Sequence, residues 1–364
     1  MKAVVLTCFE SDEERMRLVI NGLTSEGFEV VAYTSNFSHI RKQYRNNIPE
    51  GIRAIDTFSY KRNLSFSRLY SHYSFAKSVF KRVKEDKPDL LYVLAPANSL
   101  IKEAYEYKKT NKMKLIIDII DMWPESLPVN KRIKNLFPFR LWRSYRSKYL
   151  NCADRLITEC SLYREILKDE YKGEIDTLYW ARDIKAVKYD LDLGDNLSLL
   201  YIGSINNIIN TDLMVKLIEN YGKRVTVHII GKGESKDEMI VKLKRVCEVV
   251  YHGAVYDVEK KKEIFSKCHA GLNLYKNDLY IGLTVKSIDY FNFGLPVINN
   301  IIGDTSEFVS RYNVGINVDE KSVIDFDVLK KMRMNNENIY KFYESNFISD
   351  VFIDKLRKIV SDLV

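Results

Sequence analysis

Apolar and polar positions alternate along this chain in two successive series of the same kind. Residues 2–7 form an apolar run, residues 13–25 repeat their apolar positions at three- and four-residue intervals, Gly27 closes that stretch, and residues 28–34 return to an apolar run. That is a strand, a helix and a strand in succession. A basic amphipathic stretch over 69–85 leads through Pro88 to Asp89-Leu-Leu-Tyr-Val-Leu-Ala, and a further helical stretch leads to Lys114-Leu-Ile-Ile-Asp-Ile-Ile. Residues 154–157 and a helix after Ser161 complete the series. Apolar runs separated by helices predict a parallel sheet covered on both faces.

The pattern restarts after the polar stretch 190–196. Residues 197–202 read as a strand ending at Gly203-Ser204, 211–221 as a helix, 225–230 as a strand ending at Gly231-Lys232-Gly233, and 235–246 as a helix. Val249-Val-Tyr-His-Gly, residues 270–274 and Pro296-Val-Ile-Asn-Asn supply further strands. The expected fold class is α/β, with two Rossmann-like doubly wound domains over 1–185 and 186–345. Residues 346–364 form a closing helix. Ligands of such sheets sit at the carboxyl ends of the strands, where glycine turns meet helix amino termini.

Composition agrees with two ordinary cores and narrows the partners. The chain has 364 residues, 46% of them hydrophobic and 29% charged, which is a globular balance at a length beyond the usual single core. Its opening apolar stretch is too short for a secretory signal, and no stretch approaches the ~20 apolar residues of a membrane span. A soluble cytoplasmic protein is expected. Five cysteines without CxxC spacing fit reduced packing thiols better than a disulfide frame or zinc site. The five histidines show no ligand spacing, and His228 and His252 fall within strand runs. No metal and no cofactor is expected. The net charge of +8 permits an anionic partner without naming one.

Gly231-Lys232-Gly233 lacks the GxGxxG spacing of a dinucleotide site, and a tight strand-to-helix turn is the plain alternative. No GxxxxGK[ST] phosphate loop occurs. Residues 275–300 are more informative. A polar loop over 276–284 precedes a helix starting near Val285, which Gly294 stops before the next strand. Thr284 and the following amides would then face a phosphate at a helix amino terminus, with Lys286 adding a point charge. Asp289 lies three residues on, on the same face, and suits ribose hydroxyls. The competing account is a surface ion pair between Lys286 and Asp289.

This block resembles the donor-binding signature of glycosyl transferases group 1, the retaining GT-B family 4, in its bacterial capsule and O-antigen branch. The pattern stands here as Lys286, Asp289, Tyr290, Gly294, Pro296 and Val297. Leu200-Tyr-Ile-Gly-Ser, His228-Ile-Ile-Gly-Lys-Gly and Tyr251-His-Gly-Ala-Val look like the first strands of that family's donor domain. Asp118-Ile-Ile-Asp-Met-Trp-Pro-Glu-Ser is similar to its Asp-x-Trp-Pro segment. The resemblance implies a GT-B fold whose two domains face a central cleft, with the last helix returning to the amino-terminal domain. It implies transfer of a sugar, as by a hexosyltransferase, from a nucleotide diphosphate sugar to a glycan or lipid-linked glycan acceptor. An epimerase on the same scaffold would need an acid and histidine constellation that the sequence does not display.

The chain departs from the family pattern at two places. Ser204 stands where an arginine usually follows the glycine, and Ile281 stands eight residues before Asp289 in place of a glutamate. Phosphate binding then falls to Lys286, Lys232, Arg182 and main-chain amides around Gly203, Ser204, Gly231 and Gly233, with Asp278 as a substitute for the missing acid. These departures also motivate a second reading, a catalytically weak accessory subunit that binds glycan or protein.

On the acceptor side, the resemblance implies Asp121 as the reaction-centre carboxylate, Glu125 as the second candidate, and Trp123 beside them. The plain alternatives are a helix cap and a surface acid. Arg15 and Arg17, just after the first strand, are placed to meet an anionic acceptor or donor phosphates if they are not simply solvated. Residues 131–149 interleave seven cations with Phe137, Phe139, Trp142, Tyr145 and Tyr149 and carry no acid. Such a stretch suits an anionic membrane surface, so that the protein would sit peripherally on the inner face, or else it is a solvated basic helix. No nucleic-acid motif is present.

Overall fold

The structure is a computed structural model that describes residues 1–63, 65–95, 97–127, 131–182, 188, 190–193, 196–276 and 279–364. It divides into two compact units, Met1–Ala181 with Ser349–Val364, and Arg182–Ile348.

The first unit runs β1 (Lys2–Leu6), α1 (Glu13–Ser25), β2 (Glu29–Ser35), β3 (Phe37–Ser38), β4 (Gln43–Tyr44), β5 (Ile52–Ile55), α2 (Phe66–Asp86), β6 (Leu90–Ala95), α3 (Asn98–Lys108), β7 (Lys114–Ile119), α4 (Lys131–Lys134), α5 (Phe137–Leu150), β8 (Arg155–Thr158), α6 (Ser161–Leu167) and β9 (Ile175–Thr177). Seven strands pair in the order β5-β2-β1-β6-β7-β8-β9, all parallel. The central strand β6 is buried along its whole length, which is why its sequence shows no polar alternation.

The second unit runs β10 (Leu197–Ile202), α7 (Thr211–Ile218), β11 (Val225–Ile230), α8 (Lys236–Lys244), β12 (Glu248–Gly253), α9 (Val258–Ser266), β13 (Ala270–Asn273), α10 (Val285–Asn292), β14 (Val297–Asn299), α11 (Asp304–Tyr312), β15 (Gly315–Asn317), α12 (Phe326–Met334) and α13 (Glu337–Asn346). Six parallel strands lie in the order β12-β11-β10-β13-β14-β15. Both sheets start at a central strand, grow outward to one edge and then reverse. The reversal between β10 and β13 is where a sheet of this kind takes a ligand.

The closing helix α14 (Ser349–Ser361) belongs to the first unit, where it packs on α1. Its Phe352, Leu356, Ile359 and Val360 share a core with Ala3, Val5, Met16 and Tyr92. Gly22 on α1 lets it approach, since a Cβ there would lie 2.9 Å from Leu356 Cδ2. The unit boundaries fall at 181/182 and 348/349 rather than 185/186 and 345/346. The Arg182 amide donates to the Phe347 carbonyl (3.0 Å), and Arg182 bridges Ile348, so that both ends of the second unit are tied together.

The edge strands β5, β9 and β15 and the hairpin β3–β4 were not anticipated. Each has two to four residues, and β5 alternates as buried, exposed, exposed, buried, so none carries a legible run. The five cysteines are all free thiols. Among the described residues no helix is long and apolar enough to cross a membrane.

Candidate functional site

In the second unit, two glycine turns are packed backbone against backbone at the ends of β10 and β11. A Cβ on Gly231 (φ +152°) would fall 1.9 Å from the Gly203 carbonyl oxygen, and one on Gly233 would fall 1.9 Å from that of Ile205. No other residue fits those two positions. The Ile205 amide donates to the Lys232 carbonyl (2.8 Å) and the Ser235 amide to the Ile205 carbonyl (3.1 Å), which fixes one turn on the other. The tight-turn reading of Gly231-Lys232-Gly233 therefore holds, and the packing leaves Gly203 half-buried and Ser204 and Lys232 exposed.

Across the reversal, α10 begins with Thr284 as its cap. The Ser287 amide donates to Thr284 Oγ1 (3.1 Å), while that hydroxyl donates to Asn273 Oδ1 (3.0 Å). Asn273 in turn donates to Asn299 (2.8 Å) and Asn299 to Asn317 (2.8 Å), a ladder across three registered strands. Thr284 is buried and its hydroxyl committed, so it secures the helix end instead of presenting a group outward. Tyr290 is likewise structural, its hydroxyl donating toward the Leu200 and Leu272 carbonyls and accepting from the Ile202 amide, which clamps α10 to β10 and β13. Gly294 ends the helix at φ +61°, where a Cβ would strike the Tyr340 ring at 2.5 Å.

Lys286 does not pair with Asp289. Its Nζ lies 4.3 Å from the centre of the Tyr201 ring and 4.6 Å from that of Tyr275, with the Tyr201 hydroxyl at 3.3 Å. Its side chain runs under the first glycine turn, since a Cβ at Gly203 would come within 3.6 Å of Lys286 Cε. The residue is only 9% exposed and has no carboxylate partner among the described residues, and burial depresses its pKa to about 7. A buried ammonium without a counter-charge is costly, and an arriving diphosphate would supply the missing charge. Asp289 is half-buried and pairs with Arg182 at 3.4 Å, which brings together two of the expected donor residues from distant segments. Ile281 packs against the unit's core, and Asp278 lies outside the described residues.

In the first unit, the residues expected on the acceptor side separate into different roles. Asp121 follows β7, is partly accessible, accepts from the Ser126 hydroxyl, and has its pKa raised to about 6 by burial. Glu125 is not a surface acid. It is buried and gripped by Arg146 (2.9 and 3.0 Å) and Arg143 (2.7 Å), because α5 lays its basic face over the loop that carries it. Arg15 is 0% exposed and turns inward to Asp118 (2.7 and 3.0 Å) and the Leu178 carbonyl (2.9 Å), so it meets neither acceptor nor phosphate. Arg17, two residues on, points away from that face and is exposed. Trp123 is buried, stacked on His72 (centroids 5.9 Å, 14°) with the Arg68 guanidinium 4.1 Å over its ring.

Sequence reasoning missed Arg68, His72, Asp12 and Glu159. Asp12 is buried, accepts from Thr7 Oγ1 (2.9 Å) and has its pKa raised by burial to about 7, and burial lifts that of Glu159 well above the usual range. Their positions just after β1 and β8 were the available signal. Arg68 and His72 lie on α2, whose amphipathic pattern marks a face but not what faces it. His228 and His252 form a parallel stacked pair with Nδ1 and Nε2 3.0 Å apart, and burial lowers both pKa values. Among the described residues no group of three or more His, Cys, Asp or Glu is arranged to hold a metal ion.

The basic stretch 131–149 is divided in use. Arg146, Arg143 and Lys134 serve the Glu125 loop, with Lys134 donating to the Glu125 carbonyl (2.5 Å). Arg140 and Lys148 remain exposed beside Leu136, Phe137 (76% accessible) and Leu141. The charge on offer is smaller than the sequence suggests, and the apolar surface is larger.

Residues 196–327, which lie within the second unit, match the family model described as Glycosyl transferases group 1. No curated protein matches the chain. Its fold is shared with solved structures over essentially the full length of both chains. These include sucrose-phosphate synthase from Thermosynechococcus elongatus (TM-score 0.74, 12% identity, 100% and 99% covered) and the lipopolysaccharide outer core galactosyltransferase WaaB (0.71, 14%, 100% and 100%). A third is Anabaena HepE in complex with UDP (0.68, 11%, 100% and 100%). The chain therefore has the GT-B fold, as the resemblance implied.

Proposed function

We propose that the protein is a glycosyltransferase that moves a sugar, with retention, from a nucleotide diphosphate sugar to a glycan or lipid-linked acceptor in surface-polysaccharide synthesis. The observation that carries this reading is Lys286, a buried ammonium without a counter-charge among the described residues, held under the Gly203 turn at the sheet reversal of the segment that matches glycosyl transferases group 1. Exposed Lys232 and the Arg182–Asp289 pair stand in the same unit and supply further polar groups for a donor. Solved structures of this fold carry UDP and UDP-glucose, which makes uridine diphosphate the first nucleotide to test.

Asp121 is the proposed acceptor-side carboxylate. A carboxyl lifted to about 6 is deprotonated at neutral pH yet basic enough to take a proton from an attacking hydroxyl. Apart from that proton acceptor, the protein acts by positioning and electrostatic stabilisation, and no metal or cofactor enters the scheme. Arg140 and Lys148 beside Phe137 fit a peripheral position on the inner membrane face. Ser204 and Ile281 favour the second reading, an accessory subunit that binds without turnover. Calorimetry with nucleoside diphosphates, followed by hydrolysis screening of nucleotide sugars with and without a lipid acceptor, decides between them. Saturable UDP binding with sugar release supports the enzyme, and no affinity for any nucleotide removes it.

A further inference from the structure

The second sheet ends at β12, whose six residues pair with β11 on one side only. An edge strand offers its outward N–H and C=O groups to any extended chain that can pair with them, and proteins blunt such edges with charge, proline or shortness. The other three edges of the two sheets are blunted in this way. β9 and β15 have three residues each, and β5 carries the exposed charge of Arg53. β12 reads Glu-Val-Val-Tyr-His-Gly, with no proline, lysine or arginine. It leaves Val250 (40%) and Tyr251 (38%) accessible, and Tyr256 (84%) and Val258 (40%) follow in the chain. Among the described residues no backbone hydrogen bond reaches residues 248–251 from beyond β11.

The register shift between Ile229 and Ile230 makes His252 an extra residue in β12, so the regular ladder covers 248–251. The two ends of that ladder differ in charge. Glu248 is exposed at its start. At the other end His252 feels Lys260, Lys267 and Glu263, and because Lys267 pairs with Glu263 (3.2 Å), Lys260 is the cation there without an ion pair among the described residues. An antiparallel neighbour of the same sequence brings each acidic end to a basic one. With the axis at Val250, that residue meets its own copy, Val249 of each chain faces Tyr251 of the other, and Glu248 reaches the end that carries His252 and Lys260. These are apolar, β-branched-to-aromatic and opposite-charge pairings, and no like charges are opposed. An axis one residue away would run the pairing across the bulge or set Glu248 against Val250.

We propose that β12 pairs antiparallel with β12 of a second copy of this chain, joining the two six-stranded sheets into one about a two-fold axis at Val250. A two-fold dimer needs a single self-complementary surface, and this edge supplies it. The Tyr251 hydroxyl donates to the Gly231 carbonyl (2.9 Å), so the pairing also braces the glycine turn from outside. The inference stands apart from the transferase reading.

The test is sedimentation equilibrium of the full chain over a wide range of micromolar concentration, where the parent should approach twice the chain mass. Val250→Lys opposes two ammonium groups across the axis and should weaken self-association at least about tenfold, while Val323→Lys, at a more exposed apolar position of the same unit (81%), should leave it unchanged. Thermal melts establish that each variant is folded. Opposed residues of an antiparallel pair have Cα atoms about 4.5–5.5 Å apart, within the about 4.4–6.8 Å that a disulfide spans. Val250→Cys should therefore give a linked dimer with oxidised glutathione as electron acceptor, reversed by dithiothreitol, where the parent and Val323→Cys give none. A parent that stays monomeric throughout would overturn the proposal, as would a folded Val250→Lys variant that associates like the parent, or a parent dimer in which Val250→Cys does not cross-link. Nucleotide binding bears on the transferase reading alone and leaves these measurements standing.

Discussion

Replacing Lys286 by methionine should make the protein more stable at neutral pH and worse at holding nucleotide. Burial brings the ammonium from a pKa of 10.5 to about 7. At about 1.36 kcal/mol per unit, this depression corresponds to about 4–5 kcal/mol against the charged form. The two ring contacts, at 4.3 and 4.6 Å, return up to about 2 kcal/mol, leaving a cost of about 2–4 kcal/mol. The sign follows from proton counting. Between the folded value near 7 and the unfolded 10.5, the unfolded chain binds more protons, so stability rises with pH across that window. The penalty is fully present below pH about 7 and gone above 10.5. Urea unfolding should therefore show Lys286→Met gaining about 2–4 kcal/mol at neutral pH, with the gain shrinking toward alkaline pH. Calorimetry should show nucleoside diphosphate affinity falling about tenfold to a hundredfold, the worth of a charge-assisted hydrogen bond of about 1.5–3 kcal/mol. In the parent, binding near pH 8 should take up a proton, visible as a dependence of the apparent enthalpy on buffer ionisation. A variant less stable than the parent, or one with unchanged nucleotide affinity, would refute the reasoning.

Four other substitutions probe the remaining assignments. Asp118→Asn leaves buried Arg15 short of its counter-charge and should cost about 3–5 kcal/mol in urea unfolding, with the effect seated in the first unit. Asp289→Ala should weaken nucleotide binding by about 1.5–3 kcal/mol in calorimetry, and unchanged affinity would remove Asp289 from the donor site. Asp121→Asn should lower kcat about 10²–10⁴-fold and abolish the loss of activity that the parent shows as pH falls through about 6, where its carboxylate is protonated. Gly231→Ala drives a Cβ into the Gly203 carbonyl and should cost about 3 kcal/mol or more, lowering the melting temperature along with nucleotide affinity.

The central strands β1, β6, β7, β10 and β11 were legible because both faces of each are buried, which writes an unbroken apolar run. The edges were not, since a strand such as β5 with two exposed central residues carries no such run. In the second unit Gly231, Gly233 and Gly294 were legible for the same kind of reason, each being demanded by local backbone geometry. The functions of charged side chains were misjudged wherever a distant partner decided them. Arg15 looked like a helix arginine at a strand end, and Asp118, 103 residues away, draws it into the core. Glu125 looked like a surface acid until Arg143 and Arg146 closed over it.

The sequence by itself determined the two doubly wound halves and the glycine turns, because periodicity and backbone permissiveness are local properties. Only the tertiary structure decided which charges are free to act. It placed Lys286 between Tyr201 and Tyr275 without a counter-ion among the described residues, and paired Asp289 with Arg182. A buried charge is governed by the groups that fold against it, and those come from residues tens to more than a hundred positions away.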